Sequence, residues 1–287
     1  MSPIPPLPSP PASLGGEGLV AVLRAAGCVF AEEEAELLLA AAAEGADLAA
    51  LVARRVAGQP LEHVVGWAEF CGLRMEVGAG VFVPRRRSEF LVREAAAGTR
   101  AGAGAGAGAV VLDLCCGVGA VGAAVAARLG GRGGGDGGGG GSVELHAVDI
   151  DPVAVSYAAR NVAPYGGRVY AGDLYGPLPA RLLGAVDVLV ANAPYVPTDR
   201  IALLPPEARE HEPLATLDGG ADGVAVQRRV AAGALPWLAP GGRLLIETGE
   251  HQAPRTAEAL TTAGFGEVAV VSSEELEATV VIGRAAR

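Results

Sequence analysis

Between residues 14 and about 57, apolar side chains recur at helical spacing: Leu19, Val22 and Leu23, then Leu37 and Leu38, then Leu48, Leu51 and Val52. Glu32, Glu33 and Glu34 stand where a helix N-terminus welcomes negative charge. The pattern predicts a small helical domain over 13–62, preceded by a proline-rich, unstructured start over 1–12. Such a domain either holds a partner or simply packs as an appendage. Past residue 63 the runs shorten. Leu73, Met75 and Val77 alternate with polar positions, and Val81 and Val83 follow, which predicts a hairpin linker over 63–84.

From 85 to 287 strand and helix patterns alternate. Short apolar runs at 110–114, 143–149, 168–171, 186–191, 243–247, 267–271 and 279–282 read as strands; 119–129, 152–162, 223–238 and 254–263 read as helices. This order predicts an α/β fold with a mostly parallel sheet covered on both faces. Ligands of such sheets bind beyond the C-terminal ends of the strands. Two stretches break the pattern, an Ala-Gly alternation at 101–109 and a near-continuous glycine run at 130–142. Neither offsets the entropy of ordering its backbone, so both are predicted to be flexible surface segments.

Composition narrows the picture. Apolar residues make up 51% of the chain and aromatics only 4%, so the core must come from Ala, Val and Leu. All 22 basic residues are arginine, which with the abundant Ala and Gly points to GC-rich coding and weakens single Arg, Ala or Gly residues as signals. A net charge of -10 argues against a duplex nucleic-acid partner. Cys28, Cys71, Cys115 and Cys116 show no ligand spacing and fit a reducing, cytoplasmic setting. No signal peptide and no membrane span are expected. His63, His146, His211 and His251 are scattered without metal spacing and are read as structural.

The most chemical segment of the first half is Val110-Val-Leu-Asp-Leu-Cys-Cys-Gly-Val-Gly-Ala-Val-Gly122, a strand, a tight turn and a helix start. Gly117 and Gly119 let a ligand approach the backbone, and the helix N-terminus beyond offers unpaired N–H groups. Gly117, Gly119 and Gly122 also satisfy the dinucleotide pattern, a weak match in a chain with 43 glycines. Asp149 ends the next strand, where a carboxylate can accept hydrogen bonds from both ribose hydroxyls. It lies 30 residues after Gly119, or 17 once the 130–142 run is set aside, near the roughly 20 expected of a ribose-binding acid. Asp113 separates the two ligands: an acid at this strand end suits the cationic S-adenosyl-L-methionine and repels a pyrophosphate.

The strand at 186–191 runs into Asn192-Ala193-Pro194-Tyr195. An amide nitrogen is a poor nucleophile because its lone pair is delocalised. Acceptors such as the Asn192 side-chain oxygen and the Ala193 carbonyl can hold its two N–H groups and orient it. Pro194 stiffens the turn, and Tyr195 can stack on a flat amide or base. The plainer alternative is an Asn-Pro type turn that only ends a strand. Arg85, Arg86 and Arg87 read as a solvated loop, or as a guide for substrate over the cofactor.

With these residues in view, the chain from about Pro60 onward resembles the HemK-type protein-(glutamine-N5) methyltransferases, which modify peptide chain release factors. The resemblance rests on Pro60-Leu-Glu-His-Val-Val-Gly66, Phe82-Val-Pro-Arg-Arg-Arg-Ser-Glu89, residues 113–119, Ala147-Val-Asp149, Gly172-Asp173, residues 192–195, Glu212-Pro-Leu214, Asp218-Gly-Gly-Ala-Asp-Gly223, Pro240-Gly-Gly242 and Glu247. It implies a seven-stranded, Rossmann-like class I methyltransferase fold using S-adenosyl-L-methionine. The implied cofactor set is Asp113, Cys115, Cys116, Gly117, Val118, Gly119, Asp149, Ile150, Asp173, Leu174 and Asn192. The implied catalytic and substrate-binding set is Asn192, Ala193, Pro194 and Tyr195. The helical start resembles the domain by which the family engages the release factor. Three departures stand out: Ala193 replaces the usual first proline of Asn-Pro-Pro-Tyr, Cys115 and Cys116 replace a glycine and a small polar residue, and Leu174 stands where many members carry an aromatic against the adenine. Three rival readings remain: methylation of an exocyclic base amine, a dinucleotide oxidoreductase, and a cofactor-binding protein without activity.

Overall fold

The computed structural model describes residues 16–99, 108–130 and 143–286. The proline-rich start and most of the two glycine-rich segments lie outside the described residues. Within them, Ala109 already belongs to a strand and Gly130 closes a helical turn.

Four helices come first: α1 (Gly16–Ala25), α2 (Ala31–Ala43), α3 (Leu48–Val56) and α4 (Leu61–Val65). Asp47 caps α3 by accepting from the Ala49 and Ala50 amides. Gly66, at φ 86°, closes α4. Leu19, Leu23, Leu38, Val52 and Val64 form a core of their own. Arg55 on α3 grips Glu34 on α2, with Nε donating to Oε2 at 2.6 Å and Nη2 to Oε1 at 3.0 Å, and extends Nη1 to Glu207 of the main body at 3.4 Å.

The hairpin sits earlier than the alternation suggested. β1 (Trp67–Phe70) pairs antiparallel with β2 (Leu73–Glu76). The turn is Cys71-Gly72, both in the left-handed region at φ 53° and 73°, the geometry of a two-residue hairpin turn. Cysteine is not a usual residue for that turn, which hid it. His63 belongs to α4, and Val81 and Val83 lie outside any strand, with buried side chains.

The main body comprises α5 (Glu89–Ala97), β3 (Ala109–Leu114), α6 (Ala120–Arg128), β4 (Val143–Asp149), α7 (Pro152–Val162), β5 (Arg168–Ala171), β6 (Val186–Ala191), α8 (Pro206–His211), α9 (Ala225–Ala234), β7 (Leu238–Thr248), α10 (Ala253–Thr262), β8 (Glu267–Ser273) and β9 (Ala278–Arg284). Seven strands form one sheet in the order β5-β4-β3-β6-β7-β9-β8. Only β9 runs against its neighbours. Side chains alternate across it as a two-residue period requires. Val111, Leu145, Val188, Val190 and Leu245 face the layer containing α5, α6 and α7. Leu112, Leu114, Leu189, Leu244 and Ile246 face α9 and α10. β7 begins at Leu238, five residues earlier than its hydrophobic run, because a bulge between Val186 and Val188 of β6 absorbs Pro240-Gly241-Gly242. Strand order reverses around β3, with β4 on one side and β6 on the other, so the crevice opens beyond the C-terminal ends of β3, β4 and β6.

Candidate active site

The turn after β3 starts with Cys115 at φ 55° and continues through Gly117 at 54° to Gly119 at 78°. Two backbone bonds pin it, Cys116 N–H to the Val148 carbonyl at 3.0 Å and Gly119 N–H to the Cys116 carbonyl at 2.8 Å. A Cβ built on Gly117 would point into open space, so the bare backbone here faces a cavity. Gly119 is different. It does not line that cavity, and a Cβ there would meet Val162 at 2.9 Å and Ala158 at 3.2 Å. Its smallness lets α6 pack on α7, and its φ suits glycine at the helix start.

Asp113 is 1% exposed, and its Oδ2 accepts from the Gly122 amide in the first turn of α6 at 2.8 Å. Burial pushes its carboxyl up to about 7; the Gly122 N–H opposes that, and the charge of Asp149 adds to it. Asp149 lies at the end of β4. Its Oδ2 accepts from Gly117 N–H at 2.8 Å and its Oδ1 from Asp151 N–H at 2.9 Å. Burial raises its pKa while these amides hold it down. Each oxygen retains a lone pair for another donor. Burial, reinforced by the nearby carboxylates, drives the Cys115 and Cys116 thiols well above the usual range, so neither is a thiolate nucleophile.

Across the crevice, β6 delivers the second turn. Asn192 Nδ2 donates to Ser88 Oγ at 3.1 Å. Among the described residues, Asn192 Oδ1 accepts no hydrogen bond. Ala193 is fully buried. The Arg87 guanidinium lies 5.4 Å from the centre of the Tyr195 ring. Burial, with the charge of Glu247 added, pushes the Tyr195 phenol up to about 12; it stays neutral near pH 7.

One cavity of about 650 Å³ joins the two turns, a size suited to a small-molecule site. Asp113, Cys115, Cys116, Gly117 and Val118 line it on one side. Asp149, Ile150, Asp173 and Leu174 line the next wall. Asn192, Ala193, Pro194 and Tyr195 face them. Thus every candidate residue except Gly119 reaches the same space. Leu174 is held at φ 47°, and Asp173 Oδ2 accepts from Arg229 Nη2 at 2.6 Å on the rim.

Sequence reasoning did not assign the rest of the wall. Phe70, Phe82, Arg87 and Ser88 close one end; the arginine triplet splits, Arg87 facing the cavity and Arg85 pairing with buried Glu212. Residues 214–218 form another wall, tied down by Val196 N–H to the Leu217 carbonyl at 3.0 Å and Thr198 Oγ1 to Asp218 Oδ1 at 2.7 Å. The motifs at 82–89 and 212–214 were the available signal, but they give no role without tertiary contacts. His63 and His146 are buried; His63 Nε2 meets the Val81 carbonyl and His146 sits between Glu144 and Tyr170. No group of three or more possible metal ligands occurs among the described residues, and none of their helices is long and apolar enough to cross a membrane.

No family model matches the chain. It is 38% identical over 266 residues to the release factor glutamine methyltransferase of Mycolicibacterium smegmatis, spanning 86% of this chain and 88% of that protein. It is 36% identical over 217 residues to the protein of the same name from Geobacter sulfurreducens, spanning 75% and 69%. A solved methyltransferase from Pyrococcus furiosus is similar at a TM-score of 0.51 and 17% identity, over 75% of this chain and 90% of that one, which is a likeness of fold. With relatives this similar over most of its length, the chain belongs to the release factor glutamine methyltransferase family.

Proposed function

We propose that this protein uses S-adenosyl-L-methionine to methylate the side-chain amide nitrogen of a glutamine in a peptide chain release factor. The observation that carries the reading is the single cavity onto which both the glycine turn and residues 192–195 open. The names of the family relatives supply the substrate class.

The walls suit the cofactor. Gly117 leaves open space for a ligand at the backbone, Asp149 can receive two ribose hydroxyls, Ile150 and Leu174 offer apolar contact to a purine, and Asp113 places a buried carboxyl where a cationic tail would lie. That carboxyl would repel a pyrophosphate, which counts against the dinucleotide reading. When bound, S-adenosyl-L-methionine supplies a methyl group on a sulfonium. The chain's task is to bring a flat, weakly nucleophilic N–H₂ group to it. Asn192 Oδ1 and the Ala193 carbonyl accept from the two N–H bonds, and Tyr195 packs on the amide plane. Holding both reactants in line can supply roughly 7–11 kcal/mol of the barrier reduction. A methylated amide that still carries its extra proton is acidic enough to give it to water, so no strong base is needed. Arg87, Phe82 and the 214–218 wall narrow access by solvent.

The test is mass spectrometry of a purified release factor incubated with the protein and cofactor. Gain of one methyl on a glutamine, lost with Asn192→Ala, supports the reading. Methyl label in RNA and none in protein overturns it.

A further inference from the structure

Three neighbouring strands, β3, β4 and β5, each bring an acid to the cavity: Asp113 within β3, Asp149 at the end of β4, and Asp173 just past the end of β5. Asp113 suits a cationic tail and Asp149 suits ribose hydroxyls, which leaves the turn after β5 for the base. That turn is fastened to α9 at two points. Tyr175 Oη donates to the Val230 carbonyl at 2.6 Å, and its ring stacks on Trp237 with centroids 5.9 Å apart. A Cβ on Gly233 would fall 2.5 Å from the Tyr175 ring, so bare backbone on α9 makes room for it. The aromatic of this turn therefore packs on the helix, and Leu174 takes the place on the cavity wall. One helical turn before Gly233, Arg229 Nη2 donates to Asp173 Oδ2 at 2.6 Å. Arg229 lines the cavity as well.

An arginine on the wall of a site for a cation is repulsive unless a carboxylate offsets it, and Asp173 does so. The two side chains are 56% and 54% exposed, and a pair this exposed contributes little to stability. Its consequence is orientation. Arginine donates from a rigid planar fork, so engaging Oδ2 holds the carboxylate in one place and leaves Oδ1 open. Among the described residues, Asp173 Oδ1 accepts no hydrogen bond. A carboxylate only accepts. At the edge of a purine, the exocyclic N–H₂ of adenine donates, whereas an oxo group in its place sets lone pair against lone pair. We propose that Arg229 is a positioning residue that holds Asp173 as the reader of that exocyclic amine, so that α9 sets the base specificity of the cofactor site. The proposal rests on the S-adenosyl-L-methionine reading and is independent of the methyl acceptor.

The test is calorimetric binding of two ligands, S-adenosyl-L-homocysteine and its inosine counterpart, which differ by the amine-to-oxo exchange. The full chain is compared as wild type, Arg229→Ala, Asp173→Ala and the double variant. Both positions are exposed, and alanine suits the helix at 229, so the variants are expected to keep the wild-type denaturation midpoint. The wild type is expected to prefer the adenine ligand by about tenfold or more, as fits a hydrogen bond to a charged group. Asp173→Ala is expected to bring that ratio close to one. Arg229→Ala is expected to weaken the adenine ligand by about three- to fivefold and leave the inosine ligand almost unchanged. The double variant is expected to match Asp173→Ala, since the arginine acts only through the carboxylate. A loss shared equally by both ligands in Arg229→Ala marks a merely structural role and overturns the proposal. So does a wild-type ratio kept in that variant, or a wild type that binds both ligands alike. A wild type that binds neither ligand overturns the S-adenosyl-L-methionine reading itself.

Discussion

Replacing Asp113 by asparagine should flatten the pH dependence of cofactor binding. In the free protein this carboxyl titrates at about 7 because it is buried, with the Gly122 amide as its one hydrogen-bond donor. A bound ammonium and sulfonium favour its ionised form, so below about pH 7 binding must expel a proton. If the bound state titrates well below 6, affinity scales with the ionised fraction of the free protein. That fraction drops from about nine-tenths near pH 8 to about one-tenth near pH 6, so the dissociation constant should rise roughly tenfold. Burial raises Asp149 as well, against two backbone amides that favour its charged form. The Cys115 and Cys116 thiols titrate far above this window. Calorimetry at about pH 6, 7 and 8, in buffers of differing ionisation enthalpy, measures both the affinity and the proton released. Asp113→Asn should bind more weakly at about pH 8 but with little slope. A variant that keeps the tenfold slope would refute the reasoning, as would a wild type with none. Folding carries the same signature. Between the ordinary 3.8 and about 7 the folded chain holds a proton that the unfolded chain has released. Unliganded stability therefore falls as pH rises through that window, by up to roughly 4 kcal/mol at 1.36 kcal/mol per unit.

Asn192→Ala should lower kcat by about 10²–10³ with far less effect on cofactor affinity, read by methyl transfer and calorimetry. Cys115→Gly relieves a side chain at φ 55° and should raise stability by about 1 kcal/mol in denaturant unfolding. Gly119→Ala sets a Cβ against Val162 and Ala158 at φ 78° and should cost about 2 kcal/mol or more in the same assay. Arg55→Ala removes the guanidinium that pairs with both oxygens of buried Glu34 and should lower stability by roughly 3 kcal/mol, visible as a lower denaturation midpoint.

The two reacting turns were legible because each is a local device. A strand that stops, a glycine that needs an open approach and a proline that stiffens a corner all write themselves into a few consecutive residues. Asp149 was legible for the same reason, as the acid that closes an apolar run. Gly119 shows the limit: its spacing suits a ligand turn, but its open side faces α7, and only the packing of two helices reveals that. Ser88 was quoted within a motif and given no role, because its meaning depends on a contact with Asn192, far away in the chain. The hairpin was placed too late because Cys71 takes a conformation its chemistry does not advertise. Arg85 and Arg87, two residues apart in one short segment, face different partners, a distinction that charge counting cannot make.

The start of β4 has a practical consequence. Val143 opens the strand and Asp149 closes it, so at about 3.3 Å per residue the two ends lie roughly 20 Å apart. Chain added or removed between Gly130 and Val143 enters the sheet at the rim opposite the chemistry. The same holds for additions just ahead of Ala109, where β3 begins. This rim is where an affinity handle or a reporter dye can be spliced in, leaving the working rim free to engage its protein substrate.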